Sequence, residues 1–174
     1  MMCRARIGGM QLSQTPRARP MLERFFPRDD HFMRLALREA ELALAHDDVP
    51  VGAVLVSDGE VVAAAHNERE LRQDPTAHAE IIALREAARL AGSWRLLDVV
   101  IYVTLEPCAM CAGAIVLARA ARVVYGAPDP KAGACGSVLD VLTEPHLNHR
   151  PDLAGGLLSG DCAALLSGFF ASRR

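Results

Sequence analysis

The sequence lacks a long uninterrupted apolar run, and no stretch approaches the roughly 18 to 20 residues that a membrane-spanning helix requires. The N-terminus also lacks the apolar middle section of a secretory signal peptide. Five cysteines, an odd number, do not suit a disulfide framework in a chain without secretory features. These absences predict a cytoplasmic protein that spans no membrane and whose thiols are reduced or bind a metal.

Lysine is nearly absent, because Lys131 is the only lysine among 19 basic residues. Coding bias accounts for this preference as readily as phosphate binding does, so it carries little functional information. The net charge of -2 is unevenly distributed: residues 1–28 hold six arginines and one acid, which leaves -7 for residues 29–174. We expect residues 1–28, which also contain three prolines, to be a disordered basic leader or an over-extended start. Residues 29–174 have the length of one ordinary domain.

Hydrophobic periodicity predicts that helices and strands alternate along this domain. Apolar residues at helical spacing predict four helices, over about residues 30–46, 79–92, 108–120 and 161–174. Short apolar or β-branched runs predict four strands, at residues 51–57, 60–66, 98–105 and 122–127. The dipeptide Asp58-Gly59 supplies the positive backbone angles of a tight turn, so the first two strands should form a hairpin. Strands that alternate with helices imply a three-layer α/β/α sandwich.

Two cysteines lie at the start of the third predicted helix, in the segment PCAMC. Cys108 and Cys111 are three residues apart, so both sulfurs can lie on one face of the first helical turn. The exposed N–H groups of a helix N-terminus favour the thiolate, which is the form that binds zinc. Taken alone, the two residues could equally be small side chains packed in a core.

The segment PTAHAE places a histidine and a glutamate at the start of the second predicted helix. His78 and Glu80 are two residues apart, so a regular helix directs them to nearly opposite sides. Both can still reach a site that lies over the end of the helix, and Pro75 and Thr76 are residue types typical of a helix N-terminus. Alone, each would be read as an ordinary residue of a helix start, with Glu80 complementing the helix dipole.

The two segments together predict a catalytic zinc centre. Each helix start follows a strand or hairpin, and ligands of open α/β sheets lie at the carboxyl ends of strands. One nitrogen from His78 and two sulfurs from Cys108 and Cys111 leave a fourth position open for water, as in catalytic zinc sites. Zinc lowers the pKa of that water toward ~7, and the unligated Glu80 can move the proton.

The pattern H-x-E followed by P-C-x-x-C resembles the signature of the zinc-dependent nucleoside and nucleobase deaminases. Over roughly residues 29–174, the chain also resembles the bacterial tRNA-specific adenosine deaminases, in the segments VPVGAVLV, HN, DPTAHAEI, YVTLEPCAMCAGAI, RVVYGAPDPKAGACGS and CAALLSGFF. This resemblance implies a cytidine-deaminase-like fold with a mixed five-stranded sheet, a homodimer and one zinc ion per subunit. It also implies hydrolytic deamination of adenosine to inosine at the wobble position of a tRNA anticodon stem-loop.

The resemblance further implies individual roles in the reaction and in substrate binding. Glu80 would protonate N1 of the ring while the activated water attacks C6, and the backbone N–H of Ala79 would help to position the attacking oxygen. Asn67 would hydrogen-bond the edge of the base. The cavity walls would come from Val51, Leu105, Glu106 and Pro107. The contacts with the anticodon loop would come from Asp129, Lys131, Phe170, Arg173 and Arg174.

Two alternatives stay open from the sequence. A guanine, cytosine or nucleoside deaminase that acts on a free small molecule would share the same zinc half-sites. A non-enzymatic, zinc-stabilised RNA-binding module would need a fourth protein ligand, for which Cys135 and His66 are the candidates. The aromatic and basic C-terminus argues against the first alternative, and replacement of Glu80 would separate the second from an enzyme.

Overall fold

A mixed five-stranded sheet forms the middle layer of the computed structural model, which describes residues 25–173. Its strands are β1 (Gly52–Ser57), β2 (Glu60–His66), β3 (Val100–Leu105), β4 (Arg122–Ala127) and β5 (Asp152–Gly155). Their spatial order is β2-β1-β3-β4-β5. Strand β1 runs antiparallel to both β2 and β3, whereas β3, β4 and β5 are mutually parallel. The predicted leader, apart from its last four residues, and Arg174 lie outside the described residues.

Helices cover both faces of the sheet and complete the predicted three-layer sandwich. They are α1 (Asp29–Leu42), α2 (Arg69–Arg72), α3 (Ala79–Ala91), α4 (Ala109–Ala118) and α5 (Ser159–Ala171), with a 3-10 turn over Ala43–His46. One core packs α3 and α4 against the sheet, and a second core packs α1 and α5 against the opposite face. The fold class is confirmed, and no helix within residues 25–173 has both the length and the apolarity to cross a membrane.

Local sequence signals predicted most elements, but two short ones were missed. The hairpin turn has positive φ angles at Asp58 and Gly59, 51° and 79°, as the dipeptide predicted. Strand β5 is only four residues long and has no apolar alternation; it exists because its backbone pairs with β4. Helix α2 is equally short and contains no buried residue, so no apolar periodicity marks it.

The start of α1 is fixed to the sheet by a buried carboxylate. Asp29 accepts a hydrogen bond from the Tyr102 hydroxyl at 2.7 Å and two from the Arg122 guanidinium at 3.0 and 2.9 Å. Burial, followed by this hydrogen bond, raises the pKa of Tyr102 well above its ordinary value. The network lies on the α1 face of the sheet, whereas α3 and α4 lie on the other face.

Candidate active site

Two helix starts supply the candidate metal ligands. His78 immediately precedes α3 and Cys108 immediately precedes α4, and both have extended backbone angles that end the preceding segment. Cys111 lies within the first turn of α4 and is fully buried. The β1–β2 hairpin leads to α3, and β3 leads directly into α4. Because β2 and β3 are both antiparallel to β1, their carboxyl ends lie at the same edge of the sheet, where the two helix starts meet.

The three ligand atoms have the separations that tetrahedral zinc requires. Nδ1 of His78 lies 3.5 Å from Sγ of Cys111 and 3.7 Å from Sγ of Cys108, and all three atoms lie within 4.8 Å of one another. Zinc–nitrogen and zinc–sulfur bonds of ~2.0 and ~2.3 Å at a tetrahedral angle place nitrogen and sulfur about 3.5 Å apart. The donor set and its spacing therefore both fit zinc.

The electrostatic environment prepares one cysteine as a thiolate. A hydrogen bond from Cys111 lowers the pKa of Cys108 to about 3 against the opposing effect of burial, and His78 adds to this lowering. The same hydrogen bond, together with burial, raises the pKa of Cys111. The pair therefore shares a proton, and a bound cation would displace it because metal ligands must be deprotonated.

Glu80 lies beside the three ligands without belonging to the cluster. It occupies the first turn of α3 with only 3% of its surface exposed. Burial raises its pKa, and the hydrogen bond with its own backbone N–H and the nearby His78 oppose that shift only in part. A buried carboxyl group with a raised pKa holds a proton more readily than an exposed one and can pass it to a neighbouring group, which is the requirement for a proton shuttle.

A fourth protein ligand is not present among residues 25–173. Within that range, His78, Cys108 and Cys111 form the one group of three or more His, Cys, Asp or Glu side chains that could hold a metal ion. Nδ1 of His66 lies 3.2 Å from Oε2 of Glu39, and Sγ of Cys135 lies 3.9 Å from the carbonyl oxygen of Pro107. A three-ligand site keeps one position open for chemistry, so this geometry favours a catalytic centre over a structural zinc module.

A cavity of about 210 Å³ opens beside the cluster. Eight predicted site residues line it, namely Val51, Asn67, His78, Glu80, Leu105, Glu106, Cys108 and Asp129. Three residues that were not predicted also line it, namely Val49, Arg69 and Ala132. Drug-sized ligands usually occupy ~300 to 1,000 Å³, so this volume suits a single heterocyclic ring system. A larger apolar groove of about 430 Å³ includes Leu90 and Leu97 but contains none of the three ligand residues.

Comparison with known proteins identifies the family. The MafB19-like deaminase family model matches residues 28–174. A tRNA-specific adenosine deaminase of Bacillus subtilis (strain 168) is 47% identical over 146 residues, which are 84% of this chain and 91% of that protein. The chain belongs to the tRNA-specific adenosine deaminase family.

Solved structures place the deaminase among relatives with the same fold. One, from a study of A-to-I editing by tRNA:A34 deaminases at the wobble position of transfer RNA, is 48% identical with a TM-score of 0.75. The match covers 78% of this chain and 98% of that one. A guanine deaminase from Bacillus subtilis is 33% identical with a TM-score of 0.57, and the match covers 83% of this chain and 92% of that one.

Asn67 of the deaminase connects two walls of the cavity. Its Oδ1 accepts a hydrogen bond from the backbone N–H of Ala79 at 3.0 Å, and its Nδ2 donates to the carbonyl oxygen of Val49 at 3.1 Å. The Ala79 N–H therefore donates to Asn67 in this structure, and its role in positioning the attacking oxygen stays a prediction. The second N–H of the Asn67 amide is not part of these two bonds and stays a candidate donor to a base.

Glu106 borders the cavity, but its carboxylate binds the loop of residues 129–137. It is 2% exposed and accepts backbone hydrogen bonds from Asp129, Cys135 and Ser137 at 3.0, 2.9 and 3.0 Å. The Ser137 hydroxyl donates a fourth. Burial acts to raise the pKa of Glu106, but these hydrogen bonds outweigh it and lower the pKa. The sequence signal was a single acid between the apolar end of β3 and Pro107, too weak to show these partners.

The residues predicted to contact RNA lie in different environments. Phe170 is 51% exposed, whereas Phe169 is buried with the Arg173 guanidinium 3.4 Å from its ring centroid. Arg173 also pairs with Asp47. Phe169 and Arg173 line a polar cavity of about 440 Å³ that shares Val49 and Arg69 with the cavity beside the metal ligands.

Other predicted contact residues are outside the cavity lining. Pro107 is not among the lining residues, and its carbonyl oxygen instead accepts a hydrogen bond from the backbone N–H of Ala134 at 2.8 Å. Lys131 is exposed, and its backbone N–H donates to the Asp129 carboxylate at 2.9 Å.

Proposed function

We propose that this deaminase hydrolyses the 6-amino group of adenosine at position 34 of a tRNA anticodon, and that it does so in the cytoplasm. The products are inosine and ammonia. The observation that carries the proposal is the juxtaposition of His78, Cys108 and Cys111 with the buried Glu80 in a chain of this family. Asp129 and Arg69 at the cavity offer polar groups to a nucleotide whose base has been turned out of the anticodon stack.

The chain supplies the metal ligands and the proton carrier. His78, Cys108 and Cys111 would hold zinc, which when bound acidifies a water molecule so that the water can attack at neutral pH. Glu80 accepts the proton that this water loses and delivers it to N1 of the adenine ring as C6 gains oxygen. A second transfer by Glu80, from the new hydroxyl to the 6-amino nitrogen, lets ammonia leave. Burial of Glu80 keeps bulk water from competing for these protons.

The cavity residues orient the base for this transfer. Val51 and Leu105 provide apolar surface for the ring, and the remaining N–H of the Asn67 amide can bind a ring nitrogen of the adenine. The alignment matters because proton transfer requires donor and acceptor within hydrogen-bonding distance. Turning a base out of its stack costs ~2 to 3 kcal/mol. The cost is smallest when the base is unpaired, as in an anticodon loop.

We assign RNA binding to one residue of the cavity wall, to the 129–137 loop and to the C-terminal residues. Arg69 and Lys131, with the C-terminal residues Phe170, Arg173 and Arg174, would contact the anticodon loop through phosphates and stacked bases. The net charge of -2 does not exclude an RNA substrate, because phosphate contact depends on a local basic patch.

The inosine assay tests the proposal directly. Zinc-loaded protein is incubated with total tRNA, and the tRNA is then sequenced, since inosine is read as guanosine. We expect adenosine-to-inosine conversion at position 34 and at no other position. Intact, zinc-loaded protein that leaves position 34 unchanged would refute the function.

Deamination of a free base is a second candidate, favoured by the likeness to a solved guanine deaminase and by the small cavity. Ammonia release from guanine, cytosine and free adenosine tests it under the same conditions. Release from one of these without any change in tRNA would favour this candidate over the first.

A further inference from the structure

Glu106 lies two residues before a metal ligand, yet its carboxylate binds a loop rather than the ligand cluster. We infer that Glu106 is a positioning residue, whose carboxylate holds the 129–137 loop in the conformation that receives the substrate. The inference rests on the proposed function in one respect, which is that it names RNA as the substrate. The anchoring of the loop by Glu106 is a property of the fold.

The carboxylate joins the two ends of the loop. Oε2 accepts the N–H of Asp129 at 3.0 Å and the hydroxyl of Ser137, whereas Oε1 accepts the N–H groups of Cys135 and Ser137 at 2.9 and 3.0 Å. One buried group thus binds donors that are eight residues apart in sequence. These N–H groups are buried or partly buried, so they need a protein acceptor, and this one carboxylate supplies it.

The loop packs directly on the segment that carries the metal ligands. The N–H of Ala134 donates to the Pro107 carbonyl oxygen at 2.8 Å, and Gly133 pairs with Cys108 in an isolated antiparallel bridge. A Cβ at Gly133 would lie 2.5 Å from the Glu106 carboxylate and 2.6 Å from the Asp129 carbonyl oxygen. The contact is therefore tight enough to exclude even one additional carbon atom.

The anchored loop forms one wall of the active-site cavity. Asp129 and Ala132 line that cavity, and Lys131 lies between them on the surface. Without the anchor these residues would have to be ordered when substrate binds, and that ordering opposes binding. Loss of the anchor should therefore raise KM more than it lowers kcat, and it should leave the metal ligands unchanged.

The test compares three variants of the zinc-loaded protein. Glu106→Gln turns one acceptor atom into a donor that faces N–H groups, and Ser137→Ala removes only the hydroxyl donor. Asp29→Asn is the matched control, because it alters an equally buried carboxylate on the opposite face of the sheet. Readouts are zinc content, thermal unfolding, amide hydrogen exchange, and kcat and KM on an anticodon stem-loop with adenosine at position 34.

For Glu106→Gln we expect the amides of Asp129, Cys135 and Ser137 to exchange about tenfold faster or more. KM should rise about tenfold with a smaller change in kcat, and zinc should stay at one ion per chain. Ser137→Ala should shift exchange and KM in the same direction by less. Asp29→Asn should lower the unfolding temperature without changing loop exchange or KM.

Unchanged amide hydrogen exchange of the 129–137 loop in Glu106→Gln would overturn the inference. Loss of zinc from this variant would also overturn it, as would a rise in KM no greater than that of Asp29→Asn. If Glu106→Gln does not fold, loop exchange in Ser137→Ala decides the question. Hydrogen exchange needs no substrate, so the anchor is tested even if the wild-type protein leaves tRNA unmodified.

Discussion

Cys108 and Glu80 are ionisable residues of one site whose pKa values are shifted in opposite directions. The hydrogen bond from Cys111 lowers the pKa of Cys108 to about 3, which keeps it a thiolate at neutral pH. Burial raises the pKa of Glu80, which favours its protonated form relative to that of an exposed glutamate. A thiolate suits metal binding and a protonatable carboxylate suits proton transfer, so these shifts divide the two roles between neighbouring residues.

Replacement of Glu80 should separate catalysis from metal binding. We expect Glu80→Gln to stay folded and to bind zinc, while inosine formation falls by about 10²- to 10⁴-fold because the proton carrier is lost. Glu86→Gln is the control, since Glu86 is an exposed residue of α3 that pairs only with Arg89 at the surface. Zinc content and single-turnover rates measure the effect. A Glu80→Gln rate within a few-fold of wild type would exclude the assigned role.

Asp48 should make stability dependent on acid pH. Its carboxylate accepts the N–H groups of Glu70 and Leu71 at 3.0 to 3.3 Å and contacts Nδ1 of His46 at 2.9 Å. Burial acts to raise the pKa of Asp48, but these bonds outweigh it and place the pKa below the ordinary 3.8. The stabilisation is therefore complete above that ordinary value and is lost as the pH falls through the lower folded-state pKa.

Thermal unfolding between about pH 6 and about pH 2.5 measures this effect. The unfolding temperature of Asp48→Asn should fall less over this range than that of wild type, although it is already lower at pH 6. Asn in place of the exposed Asp98 should leave the pH dependence of wild type intact. The prediction fails if Asp48→Asn and wild type lose stability in parallel.

At the scale of the elements, α1 and β1 approach so closely that only glycine fits between them. A Cβ on Gly52 would overlap the carbonyl oxygen of Ala36 and the backbone nitrogen of Ala40. Both alanines are fully buried, and the Gly52 N–H donates to the Thr104 hydroxyl at 3.1 Å. The small residues of α1 therefore set how closely the helix packs on the sheet. Gly52 directly follows Val51, which lines the active-site cavity.

Gly52→Ala should force α1 away from β1 and destabilise the fold by about 1 to 3 kcal/mol, the range usual for overpacking. Gly168→Ala is the matched control, because a Cβ there, in the last turn of α5, meets no atom within 4 Å. That change should stabilise α5 by ~0.5 to 1 kcal/mol. Denaturant midpoints measure both, and equal effects of the two substitutions would contradict the packing argument.

At the scale of the whole molecule, the metal ligands connect parts of the chain that are far apart in sequence. His78 lies 30 residues before Cys108, and their ligand atoms are only 3.7 Å apart. A metal held there would cross-link α3 to α4 above their shared core. Binding to the folded state alone raises stability by mass action, by about 4 kcal/mol at 1,000 times the Kd.

Zinc removal by a chelator should lower the unfolding temperature by roughly 10 °C and abolish turnover. Zinc addition should restore both, whereas Cys111→Ala should be insensitive to chelator because a ligand is already missing. Calorimetry with and without zinc measures the shift. An unfolding temperature that is equal in the two states would contradict a zinc site at these residues.

We expect the homodimer that the family resemblance implies to pack through the outer surface of α3 and α4. Trp94 and Leu117 are 54% and 71% exposed beside an apolar groove of about 320 Å³ that Ile81 and Leu84 also line. We expect Leu117→Glu to convert dimer to monomer because the charge would be buried at the interface. Leu44→Glu is the control, since Leu44 is exposed and lies outside this groove. Sedimentation velocity tests the prediction, and a wild-type protein that is already monomeric would refute it.

The sequence by itself determined the features that depend on neighbouring residues. Cys108 and Cys111 share a helical turn, Asp58-Gly59 can adopt the positive φ angles of a hairpin, and Pro75 and Thr76 precede a helix start. Backbone geometry within a few residues is enough for each of these. Only the tertiary structure decided that Asn67 uses the Ala79 N–H and that Glu106 binds the 129–137 loop. Those hydrogen bonds join residues 12 and 23 to 31 positions apart, and only the packing of strands and loops brings their atoms together.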